Sequence, residues 1–129
     1  MIKGIHHVAL RCCGREQFDR TVHFYRDVLG LRPFRAWGEG DNAAVMLSTG
    51  NGCLEIFANG KEPMPQGVWL HVALATDNTD DCIRRVREAG YEVHIPPQDV
   101  DIASEPVYPV RIAFCHGPAG EEVEFFQER

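Results

Sequence analysis

The chain has 129 residues, enough for one structural domain with a real core. Its formal charge of -6 argues against nucleic acid as a partner, because phosphate binding needs a surplus of Lys and Arg on one face. Apolar stretches are too short to span a bilayer, nothing at the N-terminus reads as a targeting segment, and five cysteines without zinc-ribbon spacing read as reduced thiols. The expected location is therefore the cytoplasm, with no membrane partner.

In chain order, Lys3 to Arg11 alternates and reads as a strand. Glu16 to Leu29 has helical spacing, with Phe18, Val22, Tyr25 and Leu29 on one stripe, and Gly30 stops it. Leu31 to Trp37, Ala43 to Ser48 and Cys53 to Ala58 read as three more strands, separated by Gly- and Asn-rich turns. After a connector over 59–67 the order repeats. Val68 to Thr76 is a strand. Asn78 caps a helix whose first turn carries Asp80 and Asp81, and whose buried stripe is Cys82, Val86 and Ala89. Tyr91 to Ile95 is a strand, Pro96 to Pro106 a long loop suited to a lid, and Tyr108 to Cys115 and Glu121 to Gln127 the last two strands. The expectation is an α+β fold of two βαβββ modules, 1–58 and 68–129, forming one structural domain. A curled mixed sheet would surround a cleft, with the helices outside.

The two modules share an echo. His7 opens His-Val-Ala-Leu in the first, and His71 opens the same four residues in the second. Glu55 and Glu124 sit later in each half on strand-like runs. Side chains alternate across a strand, so each His or Glu shares a face with small or polar neighbours, opposite an aliphatic or aromatic face. A lone strand histidine is usually structural, and His6, His23, His94 and His116 take that reading. Four groups in one pattern are harder to dismiss. Burying two carboxylates without a counter-charge is costly, and two imidazoles with two carboxylates balance a divalent metal. Ni, Zn, Co or Mn all suit such ligands. By the same alternation Arg111 shares a face with Ala113 and Cys115 and is expected to point inward, toward an anionic group. Phe57, Phe126, Met46, Trp37 and Tyr108 are candidates to wall the site.

The opening His-His-Val-Ala-Leu-Arg, the segment Phe24-Tyr25-Arg26-Asp27-Val28-Leu29-Gly30-Leu31, the second His-Val-Ala-Leu and the Gly117-Pro118-Ala119-Gly120 turn before Glu124 together resemble the vicinal oxygen chelate superfamily. That resemblance spans nearly the whole chain, and its nearest pattern is bacterial-type glyoxalase I, lactoylglutathione lyase. The ligand order His, Glu, His, Glu matches His7, Glu55, His71 and Glu124. The resemblance implies that Arg11 and Asn59 contact glutathione or another thiol co-substrate. It also implies a 1,2-proton shift on the hemithioacetal of an α-oxoaldehyde such as methylglyoxal, through a metal-stabilised enediolate, with Glu124 as base and Glu55 assisting. The short connector favours a homodimer in which His7 and Glu55 of one chain share a metal with His71 and Glu124 of the other. The same fold also hosts epimerases, antibiotic-modifying thiol transferases and drug-binding resistance proteins. Gln is expected at position 55 in the epimerase, and loss of the ligand set in the drug binders.

Overall fold

The computed structural model describes residue 1 and residues 3–129. They form two compact units, Met1–Pro65 and Gln66–Arg129. The first runs β1 (His7–Cys13), α1 (Gly14–His23), β2 (Arg32–Trp37), β3 (Ala44–Ser48) and β4 (Cys53–Gly60). The second runs β5 (Val72–Ala75), α2 (Thr79–Glu88), β6 (Val93–Ile102), β7 (Tyr108–His116) and β8 (Glu122–Glu128). Each is a βαβββ module with its own four-stranded mixed sheet, in the orders β1-β4-β3-β2 and β5-β8-β7-β6. The α+β class and the module count match the sequence. The single curled sheet is replaced by two sheets.

In both modules the first and last strands pair in parallel, and the remaining pairs are antiparallel. Parallel pairing requires a crossover, and the helix supplies it. In the first unit Val45, Leu47, Leu54, Ile56 and Ala58 are buried beneath α1, which contributes Phe18 and Val22. In the second, Ala113, Cys115, Val123 and Phe125 are buried with Ile83 and Val86 of α2. Burial pushes the Cys115 thiol up to about 12, so it behaves as a small apolar group.

The expected helix stripe is interrupted. After His23 the helix widens into a single π turn, Phe24–Val28, with Leu29 N–H donating to the Phe24 carbonyl at 3.0 Å. The extra residue rotates the chain beyond it, so adjacent Phe24 and Tyr25 are both fully buried, ring edge to face at 5.0 Å. Leu29 leaves the stripe and is half-buried.

Three other expectations change. The first strand begins at His7 rather than Lys3. The fifth is confined to Val72–Ala75, because its pairing with β8 spans only Val72↔Val123 to Ala75↔Phe126. Upstream of it Val68, Trp69 and Leu70 are exposed. The long loop is mostly strand: β6 continues to Ile102, with Pro96 and Pro97 taken up in an irregularity between Ile95 and Gln98. β6 is an edge strand, where the missing proline N–H groups disrupt no inner ladder.

α2 starts as expected. The Asn78 side chain accepts from the Asp81 N–H at 2.9 Å. Asn78→Ala should lower unfolding free energy by about 1 kcal/mol, read from the midpoint of urea denaturation at constant m.

Candidate functional site

The parallel ladders place each histidine diagonally across from its glutamate. His7 lies opposite Cys53 and Ala9 opposite Glu55, so His7 and Glu55 share a face two residues out of step. Their side chains meet, Nε2 to Oε2, at 3.3 Å. Ala73 lies opposite Glu124, and His71 sits two residues before Ala73, the same offset. His71 Nε2 reaches Glu124 Oε2 at 3.1 Å. Both carboxylates are buried, Glu55 at 9% and Glu124 at 7% exposure, and both imidazoles are partly open. Each pair projects from the sheet face that the helix does not cover.

Neighbouring groups tune these pairs. His6 Nδ1 lies 3.0 Å from His7 Nδ1, ring edge to face. A metal ion at His7 Nε2 would require the ring proton on Nδ1, where the His6 nitrogen can accept it. Phe114 packs its ring against His71 at 5.3 Å and pairs directly with Glu124 across β7. Burial raises the Glu124 carboxyl above its ordinary value, more than the His71 imidazole lowers it, and the nearby Glu122 charge raises it further.

Among the described residues no three His, Cys, Asp or Glu side chains come together as a metal-binding group. Each unit brings together an imidazole and a buried carboxylate, the side-chain types expected of a ligand pair. The donor set fits half of a tetradentate N,O site in each unit.

Arg11 stands opposite Phe57 on the Glu55 face. Asn59 lies within β4 rather than in the connector, where the register with β1 shifts between Phe57 and Gly60. Both are exposed. Met46 pairs with Glu55, and Trp37 meets Phe57 edge to face at 6.1 Å, so an apolar wall stands beside the first pair. Phe126 and Tyr108 are neighbours at 5.9 Å in the second unit.

Arg111 does not point where its sequence neighbours implied. It pairs with Gln127, while Ala113 pairs with Phe125 and Cys115 with Val123, so it lies on the α2 side, away from Glu124. Its guanidinium holds Asp80 at 2.6 and 2.8 Å and Asp99 at 2.9 Å. Both faces of β7 are apolar. Small Ala113 and Cys115 admit the helix closely, whereas bulky Ile112 and Phe114 face the other way, which inverts the size rule used on the sequence.

One group escaped the sequence reading. His94 Nε2 sits 2.9 Å from a Glu122 carboxylate oxygen and stacks on His116 at 4.2 Å, and His116 Nδ1 contacts Glu92 at 3.3 Å. Glu122 and His116 are a registered pair, two residues along each strand from Glu124 and Phe114. Strand parity placed Glu122 on that face. Nothing local in the sequence brings His94 there, because the irregularity in β6 sets its direction.

The profile of the Glyoxalase/Bleomycin resistance protein/Dioxygenase superfamily matches residues 4–125, and the chain belongs to that superfamily. Solved structures share the fold. The antibiotic binding protein TnmS3 from Streptomyces sp. CB03234 has a TM-score of 0.75 at 18% identity, covering 99% of this chain and 98% of that one. Lactoylglutathione lyase from Agrobacterium tumefaciens has a TM-score of 0.67 at 20% identity, covering 98% and 95%. A glyoxalase family protein from Enterococcus faecalis has a TM-score of 0.71 at 24% identity, covering 96% and 97%. A search of the curated proteins finds no match. The fold thus occurs in a lyase and in an antibiotic binder. Among the described residues no helix is long and apolar enough to cross a membrane.

The raised Glu124 carboxyl has a stability consequence. Between its ordinary value of 4.5 and its raised value, the folded chain binds more protons than the unfolded one, so stability falls as pH rises through that window. Metal-free Glu124→Gln should therefore melt higher than the parent at neutral pH, and the gap should close below the ordinary carboxylate range. Thermal melts at several pH values check both.

Proposed function

We propose that the protein is a metal-dependent lyase or isomerase of the glyoxalase I type, with His7, Glu55, His71 and Glu124 as the ligands of one divalent ion. The observation that carries this reading is the repeated pair: in each unit a buried carboxylate meets a partly open imidazole at 3.1–3.3 Å on the face without the helix. A protein gains little from burying such a carboxylate for packing alone. Two acids and two imidazoles suit Ni, Zn, Co or Mn. Bound there, the ion supplies Lewis acidity to two neighbouring substrate oxygens and lowers the pKa of the adjacent C–H.

The residues then have distinct tasks. Glu124 is the base. Its carboxylate is buried beside Phe114, and once loosened from the ion it would be placed to take a proton from carbon. It removes the proton from the carbon bearing sulfur and hydroxyl and returns it to the adjacent carbonyl carbon, while the hydroxyl proton passes between the two oxygens. A hemithioacetal becomes a 2-hydroxy thioester with no net gain or loss of atoms. Glu55 serves the opposite face of the substrate. Arg11 and Asn59 hold the thiol part, glutathione or another thiol, and Trp37 and Phe57 exclude water. We also propose a homodimer whose chains share the ligand set.

The antibiotic-binding neighbour keeps a second reading in view, in which the same face binds a drug and does no chemistry. Metal titration separates the two. Chelator-stripped protein should take up about one Ni²⁺ or Zn²⁺ per chain, and Glu55→Ala or His71→Ala should weaken uptake at least ~100-fold. Absence of tight uptake would favour the binder. In the loaded protein Glu124→Gln should lower turnover of the methylglyoxal–glutathione hemithioacetal by about 10²–10⁴-fold. Normal turnover in that variant removes Glu124 as the base.

A further inference from the structure

Strand β2 breaks the simple alternation of its faces. It pairs with β3 as Arg32↔Ser48 and Pro33↔Leu47, then Arg35↔Met46 and Trp37↔Ala44, with Phe34 left over as a bulge. Residues three apart on a regular strand face opposite ways. The extra residue re-aims the strand, so that Arg32 and Arg35 project from the same face. That face belongs to the first histidine–glutamate pair, since Ser48 continues to Cys53 and His7, and Met46 continues to Glu55.

Charge pairing sets these two apart. The arginines of α1, β7 and the C-terminus meet carboxylates, as do Arg84 and Arg85 of α2. Arg32, Arg35, Arg11 and Arg87 make no ion pair among the described residues, and of these only Arg87 lies off the Glu55 face. In a chain of net charge -6 acids are plentiful, yet this face leaves its guanidinium groups to solvent or to an external anion. Arg32 also lines a cleft of about 630 Å³ with Ile5, His6, Phe34, Ser48 and Cys53, a size that suits a small molecule. The cleft lies at the end of the sheet where Ser48 pairs with Cys53, which faces His7, while Arg35 and Glu55 stand outside its lining, about two strand spacings, ~10 Å, apart.

We propose that Arg32 and Arg35 form an oxyanion subsite that holds a carboxylate or phosphate group of the substrate beside the His7–Glu55 pair. The substrate is then an anionic small molecule whose charged end lies on β2 and whose reacting oxygens lie toward β4. Calling the ligand a substrate rests on the metal chemistry proposed above, but the anion subsite needs no metal. Planar guanidinium groups grip carboxylate or phosphate by paired N–H donors, and a lysine there would not reproduce this.

The test is calorimetric titration of the metal-free full-length chain with inorganic phosphate, metal being omitted because phosphate would bind it. Saturable binding should weaken at least about tenfold in Arg32→Met and in Arg35→Met, and stay unchanged in Arg87→Met, with the melting temperature of each variant confirming the fold. Competition by acetate identifies a subsite that takes carboxylates, and lack of competition one selective for phosphate. No saturable phosphate binding, or an unchanged constant in either β2 variant, overturns the proposal. Metal uptake measured on the same variants tests the catalytic reading separately, because neither arginine is among its ligands.

Discussion

The parallel pairing of first and last strands is the constraint on which the candidate site depends. In each module the histidine stands two residues before the residue that faces the glutamate, so the pair shares a face and meets on the diagonal. A slip of one residue would send the histidine to the helix side. What prevents the slip is the opposite face. Leu54 and Ile56 lie under α1 and register with Val8 and Leu10, and Val123 and Phe125 lie under α2 and register with Val72 and Leu74. Each core therefore sets the geometry of its own polar pair. The crossover helix that makes parallel pairing possible also covers the apolar face and leaves the other free.

The Glu124 carboxylate works against folding in the absence of a cation. A buried carboxylate loses hydration that a single imidazole partner replaces only in part. At Glu124 the imbalance is visible as a raised proton affinity despite His71 at 3.1 Å. Such a site gains most from a ligand that brings positive charge. Glu16, Asp19 and Glu88 belong to surface ion pairs on the helices, which are individually weak and say little about function.

Much of this was legible in the sequence. The repeated His-Val-Ala-Leu marked both the order of the modules and the histidine–glutamate pairs, because strand alternation is a rigid geometric rule. Asn78 was legible as a cap because its chemistry is local. The failures were non-local. The π turn after His23 depends on how Phe24 and Tyr25 pack together. The length of β6 depends on a partner, β7, long enough to carry Pro96 and Pro97 past a bulge. The direction of Arg111 depends on which apolar face of β7 a helix can approach, and alternation alone does not say.

Arg111 also shows why the two modules have parted in charge. Asp80 lies in the first turn of α2, where a negative charge is already favoured by the helix dipole, and Asp99 lies on β6 beside it. An arginine between two such acids is fully engaged: they hold its guanidinium protonated well beyond the ordinary range, and it lends no charge to an external ligand. The corresponding face problem in the first module has the opposite outcome. There the bulge at Phe34 turns two arginines to the side where the nearest acid on the ladder is Glu55, itself held by His7. One module has committed its sheet arginine to fastening a helix, and the other has left its own free beside the polar pair. The same scaffold occurs twice, and the placement of a single extra residue in β2 separates a face with net positive charge from one without.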